Sequence, residues 1–295
     1  MTLPIKFIFF GGEPLSVPVL EELTMADLRP SLVVCSPDRP VGRKQILTPP
    51  PTKIWAQNHG VEFFQPTSYK DLETQNFFKK SEWDLFVVVS YNFILPKWLI
   101  DLPRHKTINV HPSLLPKLRG ASPIRTAIRD DLRQDIGITV MLLDEKMDHG
   151  PILNQVPVAI DDRKWPLPGP ELDRILAHEG GVLLAKTITA WIKGEISPRE
   201  QDHEKATYCG KFSKSDSEVK IDPFKLPTGH EAKQIWLKLN AFSGIGDTFF
   251  THKGKRVKIK QAELNQENSL QIQTVVPEGK KEMSFDRFLN NYGST

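Results

Sequence analysis

Between Ile108 and Ile124 the sequence reads INVHPSLLPKLRGASPI, and two polar residues, Asn109 and His111, stand two positions apart at the end of an apolar run. Side chains two apart on a β-strand point to the same face. An amide and an imidazole would therefore leave together at a strand's carboxyl end, where open α/β sheets keep their sites. A third polar group follows in DEKMDHGP, where Asp148 sits in a turn marked by Gly150 and Pro151. A carboxylate near a histidine favours the ring's charged form, and an asparagine amide beside it is a neutral donor for one oxygen. Together these groups suit acyl transfer to an amine. The donor pair stabilises a tetrahedral oxyanion, and the His/Asp pair moves the proton that the amine must lose. An oxyanion donor contributes about 10²–10³ in kcat, and general acid–base assistance about 10²–10⁴.

The residues alone leave a plainer reading open, in which His111 closes a strand and only satisfies its neighbours, and SLLPKLRG is a loop over a buried Leu-Leu pair. Other chemistries lack their motifs. HPSLLP is not the G-x-S-x-G turn of a serine hydrolase. His105, His111 and His149 match no common zinc spacing, so no metal is expected. FFGGEP has adjacent glycines in place of the G-x-G-x-x-G that approaches a pyrophosphate, and no P-loop occurs. Cys35 and Cys209 are the only cysteines, too few for a disulfide framework or a cysteine zinc site.

These side chains need a sheet to hold them. Apolar β-type runs, IKFIFFGG, PSLVVCSPD, VEFFQP, WDLFVVVSYN and KTINVHP, alternate with helix-compatible stretches such as PLSVPVLEELTMA and PTKIWAQNHG, the latter ending at Gly60 as a C′ glycine should. Near-continuous apolar strands separated by helices predict an α/β fold, a doubly wound, mostly parallel sheet covered on both faces. GITVMLLDE and ILNQVPVAI, joined by a turn, predict an antiparallel pair at its edge. WPLPGPELDRILAHEGGVLLAKTITAWIKGEI predicts one long helix. After a polar linker, SPREQDHEKATYCGKFSKSD, the text changes to a helix, GHEAKQIWLKLNAF, and short strands, DTFFTHKGKRVKIKQAEL, LQIQTVV and MSFDRFLNNYG, as in a small β-rich domain. The expected division is residues 1–190 for the catalytic domain, 191–207 for the linker and 208–295 for the C-terminal domain.

A net charge of +3 does not by itself identify a nucleic-acid binder. Its distribution is uneven, since KGKRVKIK (Lys253 to Lys260) carries five positive charges and no acid, which also suits a solvated strand face. No apolar run approaches the roughly 20 residues of a membrane-spanning helix. The start of the sequence lacks the basic region and cleavage site of a signal peptide. A cytoplasmic monomer that does not engage a membrane is expected.

NVHPSLLPKLRGASPI followed by GITVMLLDEKMDHGPIL resembles the folate-dependent formyltransferases, and the likeness extends to FFGGEP, CSPDRPVGRK, VVVSYNFILPKWLI and ATYCGKFSKSDSEVKID, about the first 225 residues. The Pro-Asp-Arg-Pro loop is similar to that of the family's tRNA-acting branch. The resemblance implies a Rossmann-like formyltransferase fold with an OB-like C-terminal domain. It also implies transfer of the formyl group of 10-formyltetrahydrofolate to the amino group of methionine on initiator tRNA, with folate and that tRNA as partners. A small amine such as an amino-sugar nucleotide is the alternative acceptor, which would not need the basic loop or strand.

Carried over by match, Asn109 and protonated His111 polarise the formyl oxygen, while Asp148 orients His111 and assists proton removal from the amine. Ser113, Leu114, Leu115 and Pro116 match the folate-binding segment, and the pterin is expected near Phe93, Ile94 and Leu95 and the loop from Leu143 to Asp148. Arg39, Arg43 and Lys44, in the loop PDRPVGRKQILTPP, match the segment that enters the tRNA acceptor arm. The chain departs from the family at AFSGIGDTFF, which stands where the family has an Asn-Pro-Trp-Pro-like turn, and after VKIKQAEL, where it passes through NQENSL and is a hairpin short of the usual barrel.

Overall fold

The computed structural model describes residues 5–42 and 44–292. In chain order its elements begin with β1 (Phe7–Gly11), α1 (Ser16–Met25), β2 (Leu32–Val34), the hairpin strands β3 (Arg39–Val41) and β4 (Ile46–Thr48), α2 (Pro51–His59), β5 (Glu62–Phe64), α3 (Leu72–Lys79), β6 (Leu85–Val89), α4 (Lys97–Ile100), β7 (Thr107–His111) and β8 (Arg119–Gly120). They continue with α5 (Pro123–Arg129), β9 (Gly137–Leu142), β10 (Ile152–Pro157), α6 (Gly169–Ile192), β11 (Tyr208–Cys209) and α7 (Gly229–Phe242). The last are β12 (Phe249–His252), β13 (Lys255–Leu264), β14 (Leu270–Pro277), β15 (Met283–Ser284) and α8 (Phe285–Tyr292). Two compact units result. One comprises Met1–Gly120, Asp135–Ala159 and Asp173–Tyr208, the other Ala121–Gln134, Ile160–Leu172 and Cys209–Thr295.

The first unit is built on a seven-stranded sheet in the order β10-β9-β7-β6-β1-β2-β5. Strands β5, β2, β1, β6 and β7 run parallel, while β9 pairs antiparallel with β7 and β10 antiparallel with β9. The expected edge pair is therefore present. β1 (FIFFG) and β6 (LFVVV) are buried along their whole length, as strands covered on both faces must be. From β1 the chain steps outward to β2 and β5, returns to β6 and continues the other way to β7, so the order reverses between β1 and β6. Ligands of such sheets bind at the carboxyl ends beside that reversal, and His111 ends the next strand along. α2 stops at Gly60, which takes the left-handed conformation expected of it.

The second unit holds a four-stranded antiparallel sheet, β12-β13-β14-β15, one strand fewer than the five of an OB barrel. Ala232 and Ile235 of α7 and Phe285 and Phe288 of α8 pack into one core with Phe250, Val257, Ile259 and Val275 of the sheet. One expectation is corrected here. MSFDRFLNNYG is not a strand: only Met283–Ser284 pairs with β14, and Phe285–Tyr292 is helical. Phe285, Phe288, Leu289 and Tyr292 recur at i, i+3, i+4 and i+7, which lays one apolar stripe on the core as a helix and would scatter it over both faces of a strand. Among the described residues no helix is long and apolar enough to cross a membrane.

Phe288 is 1 % exposed, stacks on Tyr292 at 4.9 Å and meets Phe250 edge-on at 5.8 Å. Phe288→Ala should destabilise the second unit by about 3–5 kcal/mol, read as a lower urea midpoint. An unchanged midpoint would mean that α8 is not seated on this core.

Candidate functional site

Strand β7 presents Asn109 half-buried and His111 with a side chain 5 % exposed. The His111 Nε2–H donates to the Leu118 carbonyl at 2.9 Å, and Nδ1 lies 3.5 Å from Asp148 Oδ1. A carbonyl only accepts, so Nε2 carries the proton that Leu118 takes, and Nδ1 faces the carboxylate. Among the described residues the Asn109 amide has no hydrogen-bond partner, so it is available to a ligand beside an oriented ring.

Asp148 lies in the turn between β9 and β10 with φ +50°, in the left-handed region, and its Oδ2 accepts from the Gly120 N–H at 2.7 Å. The turn is held from beneath. Gln201 Nε2 donates to the carbonyls of Asp148 (3.0 Å) and Gly150 (2.7 Å), while its Oε1 accepts from Arg119 Nε (3.2 Å) and Nη2 (2.7 Å). Arg119 Nη2 also donates to His203 Nδ1 at 2.8 Å, and the His203 ring stacks on His149 at 4.0 Å. His149 in turn donates to Asp144 Oδ2 at 2.7 Å. Sequence reasoning missed Arg119, Gln201 and His203. The latter two lie in the stretch read as a polar linker, which is anchored by paired backbone bonds between Arg199 and Ile152. Gly150 is required by space, because a Cβ there would meet the Leu142 carbonyl oxygen at 2.0 Å.

The SLLP segment is a self-satisfied turn on β9. Ser113 Oγ donates to the Lys117 carbonyl (2.6 Å), and Thr139 Oγ1 donates to the Ser113 carbonyl (2.7 Å). The Leu115 carbonyl accepts from the Gln155 amide at 2.9 Å, and the bond to Pro116 is cis. Leu114 closes over Gly137, whose missing Cβ would stand 2.4 Å from Leu114 Cδ2. Leu115 packs with Met141 and Ile152, and Leu143 lies against them. Leu143 also joins Phe93 and Leu95 in the large core cluster, while Ile94 projects with 87 % exposure. Tyr91, which opens that loop, shares a 2.6 Å hydrogen bond with Tyr69, and burial pushes both phenols up so that the pair stays neutral.

The basic loop forms the hairpin β3–β4, with Val41, Ile46 and Leu47 exposed on it. Arg39 is 63 % exposed and pairs with Glu13 at 3.2 Å, Glu13 also accepts from Asn92, and Lys44 is exposed. Arg43 lies outside the described residues. At the hairpin's base Lys53 and Gln65 hold Asp38, and the Lys53 hydrogen bond keeps its carboxyl below the usual range. In the second unit, Lys258 and Lys260 of the basic strand are both bound by Asp247 at 2.7 Å.

A sheet that reverses its order beside the strand carrying Asn-x-His, with an aspartate delivered from the antiparallel edge, defines the class. Residues 5–165 match the formyl transferase family model, and the chain belongs to that family. It is 36 % identical to a methionyl-tRNA formyltransferase of Halalkalibacterium halodurans, over 98 % of this chain and 96 % of that one. It is 32 % identical to that of Bacillus cytotoxicus, over 97 % and 95 %. Among solved structures, a 4-N formyltransferase from Francisella tularensis superposes with a TM-score of 0.63 at 21 % identity, covering 88 % of this chain and 98 % of that one. The methionyl-tRNA formyltransferase from Clostridium thermocellum superposes with 0.59 at 12 % identity, covering 95 % and 99 %. These two show the shared fold.

Gly150→Ala should displace the turn that carries Asp148 and lower the rate of formyl transfer about 10²-fold, the cost of roughly 1 Å of misplacement. The second unit's unfolding midpoint should stay put. Full activity in this variant would show that the turn tolerates displacement.

Proposed function

We propose that this protein transfers the formyl group of 10-formyltetrahydrofolate to the amino group of methionine on initiator methionyl-tRNA, releasing tetrahydrofolate. The carrying observation is the buried His111–Asp148 pair beside an uncommitted Asn109 amide, in a chain of this family. The amine nitrogen bonds to the formyl carbon, and the bond from that carbon to folate N10 breaks. The amine loses a proton and N10 gains one.

Asn109 and the Nε2–H of His111 are the donors for the formyl oxygen, the latter leaving the Leu118 carbonyl that holds it in the free protein. Asp148 keeps the ring oriented and, with water, takes up the amine's proton. For the folate, Phe93, Leu95 and Leu143 form one apolar cluster at the two loops where a pterin is expected, which suits a flat ring. Ser113, Leu114, Leu115 and Pro116 and the exposed Ile94 complete the proposed folate site. No step requires a metal.

Arg39 and Lys44 of the β3–β4 hairpin, together with Arg43 of the same stretch of sequence, meet the tRNA acceptor arm, where cations contact phosphates and guanidinium planes stack on exposed bases. Residues 1–190 act as the catalytic domain and 208–295 as the tRNA-binding domain, and the linker 191–207 also reaches back to the catalytic turn through Gln201, in a cytoplasmic monomer.

The test is a formylation assay with 10-formyltetrahydrofolate and charged initiator tRNA, run at several salt concentrations with Arg43→Ala and His111→Ala alongside. His111→Ala should lower kcat about 10²–10⁴-fold. Arg43→Ala should raise the KM for tRNA and flatten its salt dependence, because one phosphate contact is lost. Folate binding without transfer to tRNA at any salt would move the acceptor to a small amine.

A further inference from the structure

We infer that Arg119 and Gln201 are positioning residues for formyl transfer: they fix the turn that aims the Asp148 carboxylate at His111. The inference rests on the role proposed above for Asp148.

The guanidinium only donates, so the oxygen of the Gln201 amide must face Arg119 and its nitrogen must face the other way. That nitrogen has two partners, the carbonyls of Asp148 and Gly150. Arg119 therefore acts on Asp148 through the orientation it imposes on Gln201. The next residue acts directly, since the Gly120 N–H binds the Asp148 carboxylate itself. Strand β8 thus reaches the aspartate twice, once through the side chain of Arg119 and once through the backbone of Gly120.

The arrangement answers a specific need. Asp148 has φ +50°, a conformation that is uncommon for side-chain-bearing residues, though aspartate tolerates it better than most, and that local hydrogen bonds hold in place. One amide holding two carbonyls of the same turn does this. Arg119 and Gln201 are 1 % and 5 % exposed, so neither is placed to meet a substrate from solvent. A buried guanidinium is costly unless its donors are used, and here they bind Gln201 and His203, whose ring stacks on His149 in the same loop. The segment from Arg199 to His203 is in this way part of the catalytic apparatus.

Gln201→Glu separates positioning from folding. The new carboxylate still accepts from Arg119, but it cannot donate to the two carbonyls. In the full-length protein, with 10-formyltetrahydrofolate and charged initiator tRNA, kcat should fall about 10- to 100-fold. The protein should stay folded with a lowered melting temperature, because two carbonyls lose their donor, and the Kd for tetrahydrofolate should be unchanged. On an Asp148→Asn background the same substitution should change kcat by less than about twofold, because a residue that acts only through Asp148 has nothing left to position. Arg119→Lys keeps the buried charge and loses the fork, and it should show the same non-additive loss; it carries the comparison if Gln201→Glu does not fold. Normal kcat in the folded variants, or equal losses on both backgrounds, would assign the two residues to the fold alone and overturn the inference. Near-normal kcat in Asp148→Asn by itself would overturn the role of Asp148 and the positioning with it.

Discussion

An imidazole and a carboxylate that face each other with side chains 5 % and 13 % exposed are stable only if their remaining polar atoms are paired. Much of the first unit around β7 meets that condition. The Leu118 carbonyl takes one ring N–H, the Gly120 N–H takes the second carboxylate oxygen, and Gln201 holds the backbone that delivers the carboxylate. Leu118 itself has φ +57°, so the chain bends sharply after SLLPK to bring its carbonyl under the ring and then β8 under the aspartate. The short stretch from His111 to Gly120 thereby supplies the ring, the acceptor that orients it and the donor that orients its partner.

The sheet explains why these groups meet. A parallel strand following β7 would need a crossover helix and would deliver its loops to a distant position. Instead β9 returns antiparallel beside β7, pairing His111 with Thr139 and Ile108 with Leu142, and leads into the turn that holds Asp148. Thr139 serves the same geometry from the strand itself. Its hydroxyl donates to the Ser113 carbonyl and accepts from the Leu115 N–H, which fixes the SLLP turn on β9.

What the sequence revealed and what it concealed follow from range. Strands β1, β6 and β7, helix α2 with its terminal glycine and the antiparallel edge pair were legible because period and punctuation are local signals. Asn109 and His111 were legible because their spacing needs no tertiary knowledge. Arg119 and Gln201 were not, since the charge and amide types that mark surface residues carry no mark of burial, and their partners lie 82 positions apart. The basic strand shows the converse: five cations and no acid within eight residues look like one positive surface, and only the fold reveals that Asp247 binds two of them. From Met283 to Tyr292 a two-residue strand followed directly by a helix offered both periods within ten letters, and the longer, helical one prevailed.

The two kinds of electrostatic contact in the first unit differ in a way that matches their proposed uses. Arg39 meets Glu13 at the surface, 63 % exposed, where such a pair contributes about 0–1 kcal/mol and weakens with salt. A phosphate can replace that carboxylate at almost no cost, so the hairpin can exchange an internal partner for a nucleic acid. Glu13 also accepts from Asn92, next to the Phe93–Leu95 loop, so release of Arg39 leaves that loop's tie in place. The His111–Asp148 contact has no such freedom: with side chains 5 % and 13 % exposed, a ring or carboxylate that leaves the other loses a partner that water does not readily replace. Recognition is built from contacts that trade cheaply, and chemistry from contacts that do not. The proline-punctuated loop and the strand-end histidine, both conspicuous in the same sequence, have to be read by opposite rules.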